Sequence, residues 1–91
     1  MKIVKRLIIT GLVQGVGYRA SMVFAARRLG VTGWVRNRRN GSVEAVAQGT
    51  PEAVQEFIDW AWKGPGMAEV ESVEVLESNG DFADFEIQDT L

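Results

Sequence analysis

Gly11-Leu12-Val13-Gln14-Gly15-Val16-Gly17-Tyr18-Arg19 is the stretch on which the fold turns. Before it, Ile3, Leu7 and Ile9 alternate imperfectly with Lys5, Arg6 and Ile8, which predicts a strand over Lys2 to Thr10. After it, Tyr18, Met22, Ala25, Ala26 and Leu29 recur at helical spacing. That spacing predicts a helix from Tyr18 to Leu29, with Gly30 as its C-terminal stop. Gly11 to Gly17 is then a glycine-rich loop that delivers a strand into a helix N-terminus and carries Arg19 with it.

Further along, Val31 to Asn37 reads as a second strand, and Asn40-Gly41 signals a hairpin. Ser42 to Gln48 returns as a third strand, with Val43, Ala45 and Ala47 on one face and Glu44 and Gln48 facing away. Thr50-Pro51-Glu52 opens a second helix: a capping hydroxyl, a proline suited to the first helical position and an acid at the positive dipole end. Val54, Phe57, Ile58 and Ala61 are its apolar stripe, and Gly64-Pro65-Gly66 ends it. Val70 to Leu76 alternates as a fourth strand, Ser78-Asn79-Gly80-Asp81 turns, and Phe82, Phe85 and Ile87 suggest a short final strand. The order βαββαβ plus a terminal strand predicts an α+β, ferredoxin-like sandwich, two helices on one face of an antiparallel-dominated sheet. With 91 residues and no linker, repeat or low-complexity segment, residues 1–91 are expected to form one domain.

The composition removes several chemistries. There is no cysteine and no histidine, so disulfides, thiolate metal sites and Ser-His or Cys-His catalysis are excluded. The apolar run Leu7-Ile8-Ile9 is too short for a signal core or a membrane span, and a cytoplasmic protein is expected. The net charge of -2 hides an asymmetry: nine of the ten basic residues lie in 1–45 and eleven of the twelve acids in 46–91. Either a positive field surrounds an anion site in the first half, or the halves interleave and neutralise one another. Trp34 and Val46 are expected on the sheet face away from the helices, as a small apolar patch. One of Trp60 and Trp62 is expected in the core and the other partly exposed, since neighbours at that spacing do not share a helix face.

Topology brings two motifs together. A helical crossover makes the first two strands parallel, so the loop with Arg19 and the strand end at Asn37 meet at one edge. Gly15 and Gly17 allow successive backbone N–H groups to face one concavity, and the helix dipole is positive there. A cation is slightly unfavourable at a helix N-terminus, and a bound phosphate, matched by the guanidinium fork, would account for Arg19. Alone, the loop reads rather as a packing turn with a solvated arginine, and Asn37 as a residue bonding its own backbone. Their convergence favours a shared site. With no histidine or cysteine in the chain and no acid in the loop or beside Asn37, proton transfer is not on offer. The substrate is restricted to a phosphate whose leaving group needs no proton, such as a carboxylate with a conjugate-acid pKa of about 4.

At these residues the chain resembles the acylphosphatase family. Its two signatures, Gly-x-Val-Gln-Gly-Val-x-aromatic-Arg and Gly-aromatic-Val-x-Asn-x-x-x-Gly-x-Val-x-x-x-x-x-Gly, stand unbroken at Gly11–Arg19 and Gly33–Gly49. The resemblance implies hydrolysis of acyl phosphates to a carboxylate and inorganic phosphate, without metal or other cofactor. It implies that Arg19 and the backbone of Gly15, Val16, Gly17, Tyr18 and Arg19 bind the phosphate, and that Asn37 holds the attacking water. Some members carry threonine after that asparagine, where Arg38 stands here, and often a second proline where Gly66 stands. The expected partner is a small acyl phosphate, with no nucleic acid and no membrane, for a monomer. Two other readings compete. Related domains begin larger carbamoyl-transfer proteins that continue into zinc-binding cysteine segments; this chain has no cysteine, and a stand-alone enzyme is the expectation. An RNA-binding sheet would need aromatics on its central strands, and strands one and three contain none.

Overall fold

Both helices form where their local signals predict them. The Thr50 hydroxyl accepts the Ala53 N–H at 3.1 Å, with Pro51 in the first helical turn. The computed structural model describes all 91 residues. In chain order the elements are β1 (Ile3–Leu12), α1 (Tyr18–Leu29), β2 (Thr32–Asn37), β3 (Val43–Gly49), α2 (Pro51–Lys63), β4 (Glu69–Glu77) and β5 (Phe85–Ile87). β1 runs two residues beyond its expected end. Its register against β4 shifts between Thr10 and Gly11, and pairing resumes through Leu12 opposite Glu69. A bulge of this kind absorbs an irregular residue without ending the ladder.

The strand order is β4-β1-β3-β2-β5. β3 is antiparallel to both β1 and β2, so β1 and β2 point the same way, and β5 adds parallel to β2. Two helices on a mostly antiparallel five-stranded sheet is the ferredoxin-like α+β arrangement. Ile9 of β1 and Asn37 of β2 both stand opposite Val43. One strand intervenes, so Ile9 and Asn37 lie about 10 Å apart, and the loop after β1 and the end of β2 fall at one edge of the sheet.

One face of the sheet holds the core: Leu7, Ile9, Val35, Val43, Ala45 and Ala47 meet Met22 and Ala26 of α1 and Phe57 and Ala61 of α2. Phe85 of β5 is fully buried, its ring 5.6 Å from that of Phe57. Trp60 packs against this core, and Trp62 is 49% exposed, as the helical spacing requires. Tyr18 locks the start of α1 to the end of α2. Its hydroxyl donates to the Ala61 carbonyl at 2.7 Å, and its ring lies 5.4 Å from Trp60. That carbonyl would ordinarily bond the N–H four residues on, but residue 65 is proline and has none. Burial pushes the Tyr18 phenol well above its usual pKa, so it stays a donor. Tyr18→Phe is expected to cost about 1–2 kcal/mol, read as a lower Tm, by orphaning the Ala61 carbonyl.

The opposite face is not the apolar patch expected of Trp34 and Val46. Val46 is 4% exposed, and the Arg36 guanidinium stacks over Trp34 at 4.8 Å from the ring centroid. Glu44 is buried beside them, gripped by Arg6 Nε at 2.6 Å and Arg36 Nε at 2.8 Å. β3 is the central strand, so long side chains of β1 and β2 close over it from both sides. Burial alone would raise the Glu44 pKa; hydrogen bonds and charge from Arg36 and Arg6 outweigh it and hold the carboxyl below its usual range. A folded value below the unfolded one gives stabilisation that is complete above about pH 4.3 and lost as pH falls through the lower folded value. Removing one partner of a buried pair costs about 3–5 kcal/mol. Both arginines reach solvent here and glutamine keeps an acceptor, so Glu44→Gln should cost about 1–2 kcal/mol at neutral pH. Thermal melts at neutral and acid pH check this, and the gap to wild type should narrow in acid.

Candidate active site

β1 leaves the sheet into a loop whose backbone turns twice into the left-handed region, at Gly15 (φ 75°) and Gly17 (φ 78°). A Cβ at either position would meet nothing within 4 Å, so it is the dihedral and not crowding that requires glycine. Gly17 is the N-cap of α1 and supplies no side-chain cap, and the first turn contains no acid. The N–H groups of Gly15, Val16 and Gly17 bond no backbone acceptor. Those of Tyr18 and Arg19 belong to the first turn, where no intrahelical acceptor exists. The loop is thus a run of unpaired donors at the positive end of a helix. It borders a recess of about 200 Å³ lined by Val13, Gly15, Gly17, Tyr18, Arg19, Ala20 and Ile87. At about 30 Å³ per water, that accommodates a phosphate and part of the group attached to it.

Arg19 is half-buried on this wall and pairs with no acid, whereas Lys5 pairs with Glu77, Arg27 with Asp84, and Arg6 and Arg36 share Glu44. Only Lys5–Glu77 and Arg27–Asp84 join the basic first half to the acidic second half; Arg6, Arg36 and Glu44 all belong to the first, and Arg19 joins neither set.

Asn37 ends β2. Its Oδ1 is buried and has no hydrogen-bond partner, the one side-chain polar atom of the chain in that condition. The alternative that it closes its own turn is set aside. That task falls to Asn40, whose Oδ1 accepts the Ser42 N–H at 3.0 Å and the Ser42 hydroxyl at 2.6 Å. An unpaired buried acceptor costs about 1–3 kcal/mol. Asn37 does not line the recess itself; it stands at the same sheet edge, at the end of β2, which runs parallel to β1 with β3 between them.

Two residues near the site received no role from the sequence. Gln14 donates both hydrogens of its Nε2 across the edge, to the Arg38 carbonyl at 2.7 Å and the Ser42 carbonyl at 2.8 Å. It lies within the first motif, but nothing local reveals partners so far along the chain. Ile87 enters the recess from β5, 49% exposed, and the alternation of β5 with Phe85 inward was its only signal. Arg38, beside Asn37, makes no ion pair. Nowhere do three or more His, Cys, Asp or Glu side chains gather as metal ligands.

One edge of the ferredoxin-like sheet thus carries a glycine-turned loop with unpaired amides, an arginine without an acid partner and a buried amide oxygen without a donor. The sequence model of the Acylphosphatase family matches residues 5–87. An acylphosphatase of Acidovorax sp. is 58% identical over 90 residues, covering 98% of this chain and 93% of the relative. The structure of an acylphosphatase from Coxiella burnetii superposes with a TM-score of 0.92 at 35% identity, covering 96% of this chain and 93% of that one. Full-length HypF in its phosphate- and nucleotide-bound form shares the fold over 99% of this chain, with a TM-score of 0.90 and 24% identity, but the match covers only 12% of that longer protein. The chain belongs to the acylphosphatase family, enzymes that hydrolyse acyl phosphates.

Proposed function

We propose that hydrolysis takes place at the edge where β1 and β2 end, with the phosphate in the Gly15–Arg19 loop and the attacking water on Asn37. The observation that carries the reading is the buried, unpartnered Asn37 Oδ1 at the same edge as the unpaired loop amides and Arg19. The N–H groups of Gly15, Val16, Gly17, Tyr18 and Arg19 and the Arg19 guanidinium hold the phosphate oxygens and stabilise charge as it redistributes in the transition state. The Asn37 amide orients the water for in-line attack, accepting or donating a hydrogen bond, so that a lone pair of the water faces phosphorus. The water oxygen bonds to phosphorus as the bond from phosphorus to the acyl oxygen breaks, and that bonding pair leaves on the carboxylate. The carboxylate needs no proton at neutral pH, and the attacking water's protons pass to the phosphate product and solvent.

This reading requires no metal, and the chain has no histidine or cysteine to ligate one. It takes residues 1–91 as one domain acting as a monomer on a small acyl phosphate in the cytoplasm, independently of nucleic acid or membrane. No helix is long and apolar enough to cross a membrane. Release of inorganic phosphate from benzoyl phosphate, followed with EDTA present and with added phosphate as competitor, tests the reading. Undiminished release in EDTA and competitive inhibition by phosphate are expected. Release that EDTA abolishes would overturn the metal-free mechanism.

A further inference from the structure

The proposed site has two halves on separate strands, and the reaction requires their spacing to be held. The phosphate loop follows β1, and Asn37 ends β2. Around the edge, one side chain joins them directly: Gln14 Nε2 donates to the carbonyls of Arg38 (2.7 Å) and Ser42 (2.8 Å). These two residues are the closing pair of the β2–β3 hairpin, since the Arg38 N–H also donates to the Ser42 carbonyl at 2.9 Å. Arg38 is bonded covalently to Asn37, and Gln14 is bonded covalently to Gly15. The clamp therefore runs from the residue before the donor loop to the residue after the amide, with one side chain between them.

We infer that Gln14 is a positioning residue, which sets the distance between the phosphate cradle and the Asn37 amide. The inference rests on the reading of Asn37 as the water holder. An amide suits the task because only its NH2 end can serve two carbonyl oxygens at once; a carboxylate would repel both, and a thioether would bond neither. The cradle itself depends on the dihedrals of Gly15 and Gly17 and on the start of α1, none of which involves the Gln14 side chain. Losing the clamp should accordingly leave phosphate binding in place and misplace the water.

Gln14→Met and Gln14→Glu test this against wild type and Asn37→Ala, each assayed well below its own Tm with benzoyl phosphate as substrate and inorganic phosphate as competitor. In Gln14→Met, kcat should fall about ten- to a hundredfold, the scale of a misplacement of about 1 Å, while phosphate inhibits as it does wild type. Gln14→Glu should be similarly slow at neutral pH. Its turnover relative to wild type should recover as pH falls toward carboxyl protonation, because the acid form regains one donor. A residue serving only stability would lower Tm and leave kcat and its pH profile alone. Unchanged kcat in Gln14→Met, or loss of phosphate inhibition together with kcat, overturns the inference. If Asn37→Ala itself turns over normally, the water-holding reading is what fails; if Asn37→Ala is slow while Gln14→Met is not, only the clamp fails.

Discussion

Arg19→Ala loses turnover by about a thousandfold or more and ceases to be inhibited by inorganic phosphate at concentrations that inhibit wild type. The magnitude follows from what an arginine contributes when it neutralises charge developing on a transferring phosphoryl group. The two losses occur together because one group serves ground state and transition state alike. The side chain holds nothing else in place: it pairs with no acid, and it lies on the wall of the recess instead of in the core. The variant is therefore expected to fold with a near-normal Tm, which circular dichroism melts establish. Retained phosphate inhibition in a folded Arg19→Ala protein would put the anion elsewhere. Arg19→Lys should recover little, because an ammonium cannot bond two phosphate oxygens in the plane of a fork.

Asn37→Ala separates binding from chemistry. Turnover is expected to fall about a hundredfold or more, the scale of losing the orientation of a reacting group, while inhibition by phosphate persists. The variant should not be less stable on account of the lost side-chain oxygen, since that atom bonds nothing in the folded chain. Removing a buried acceptor that has no partner can even raise Tm by a fraction of the cost of leaving it unpaired. A drop in kcat accompanied by unchanged or higher Tm is the pattern of a group kept for function at the expense of stability. Near-normal turnover in Asn37→Ala would remove its role.

Much of this was legible in the chain because the signals are local. Thr50-Pro51 caps and starts α2, Gly30 stops α1 in the left-handed conformation, and helical spacing separates Trp60 from Trp62. The shared edge was legible too, since a right-handed crossover leaves the first two strands parallel. What escaped was set by neighbours distant in sequence. The last two residues of β1 are strand because Glu69 of β4 pairs there, and a glycine at position 11 gave no hint of it. Glu44 reads as a residue turned away from the core, and it is; its burial comes from Arg6 and Arg36 closing over a central strand. Strand alternation assigns a face but says nothing of what covers it.

The site divides along the same line. The donor loop follows from glycine spacing, and Arg19 from its place at a helix start. The Asn37 amide is different: an asparagine before a hairpin usually bonds its own turn, and only the folded chain, with Asn40 already closing that turn, leaves the Asn37 oxygen free. The Gln14 clamp lies wholly beyond local reading, because the carbonyls it bonds belong to residues 38 and 42.

Hydrolysis of benzoyl phosphate in water enriched in heavy oxygen, with EDTA present, tests the central claim most directly. A water turned toward phosphorus by Asn37 places the label in inorganic phosphate and leaves benzoate unlabelled, at a rate that EDTA does not change. Label in benzoate would mean attack at the carbonyl carbon, and would contradict a site built around phosphorus.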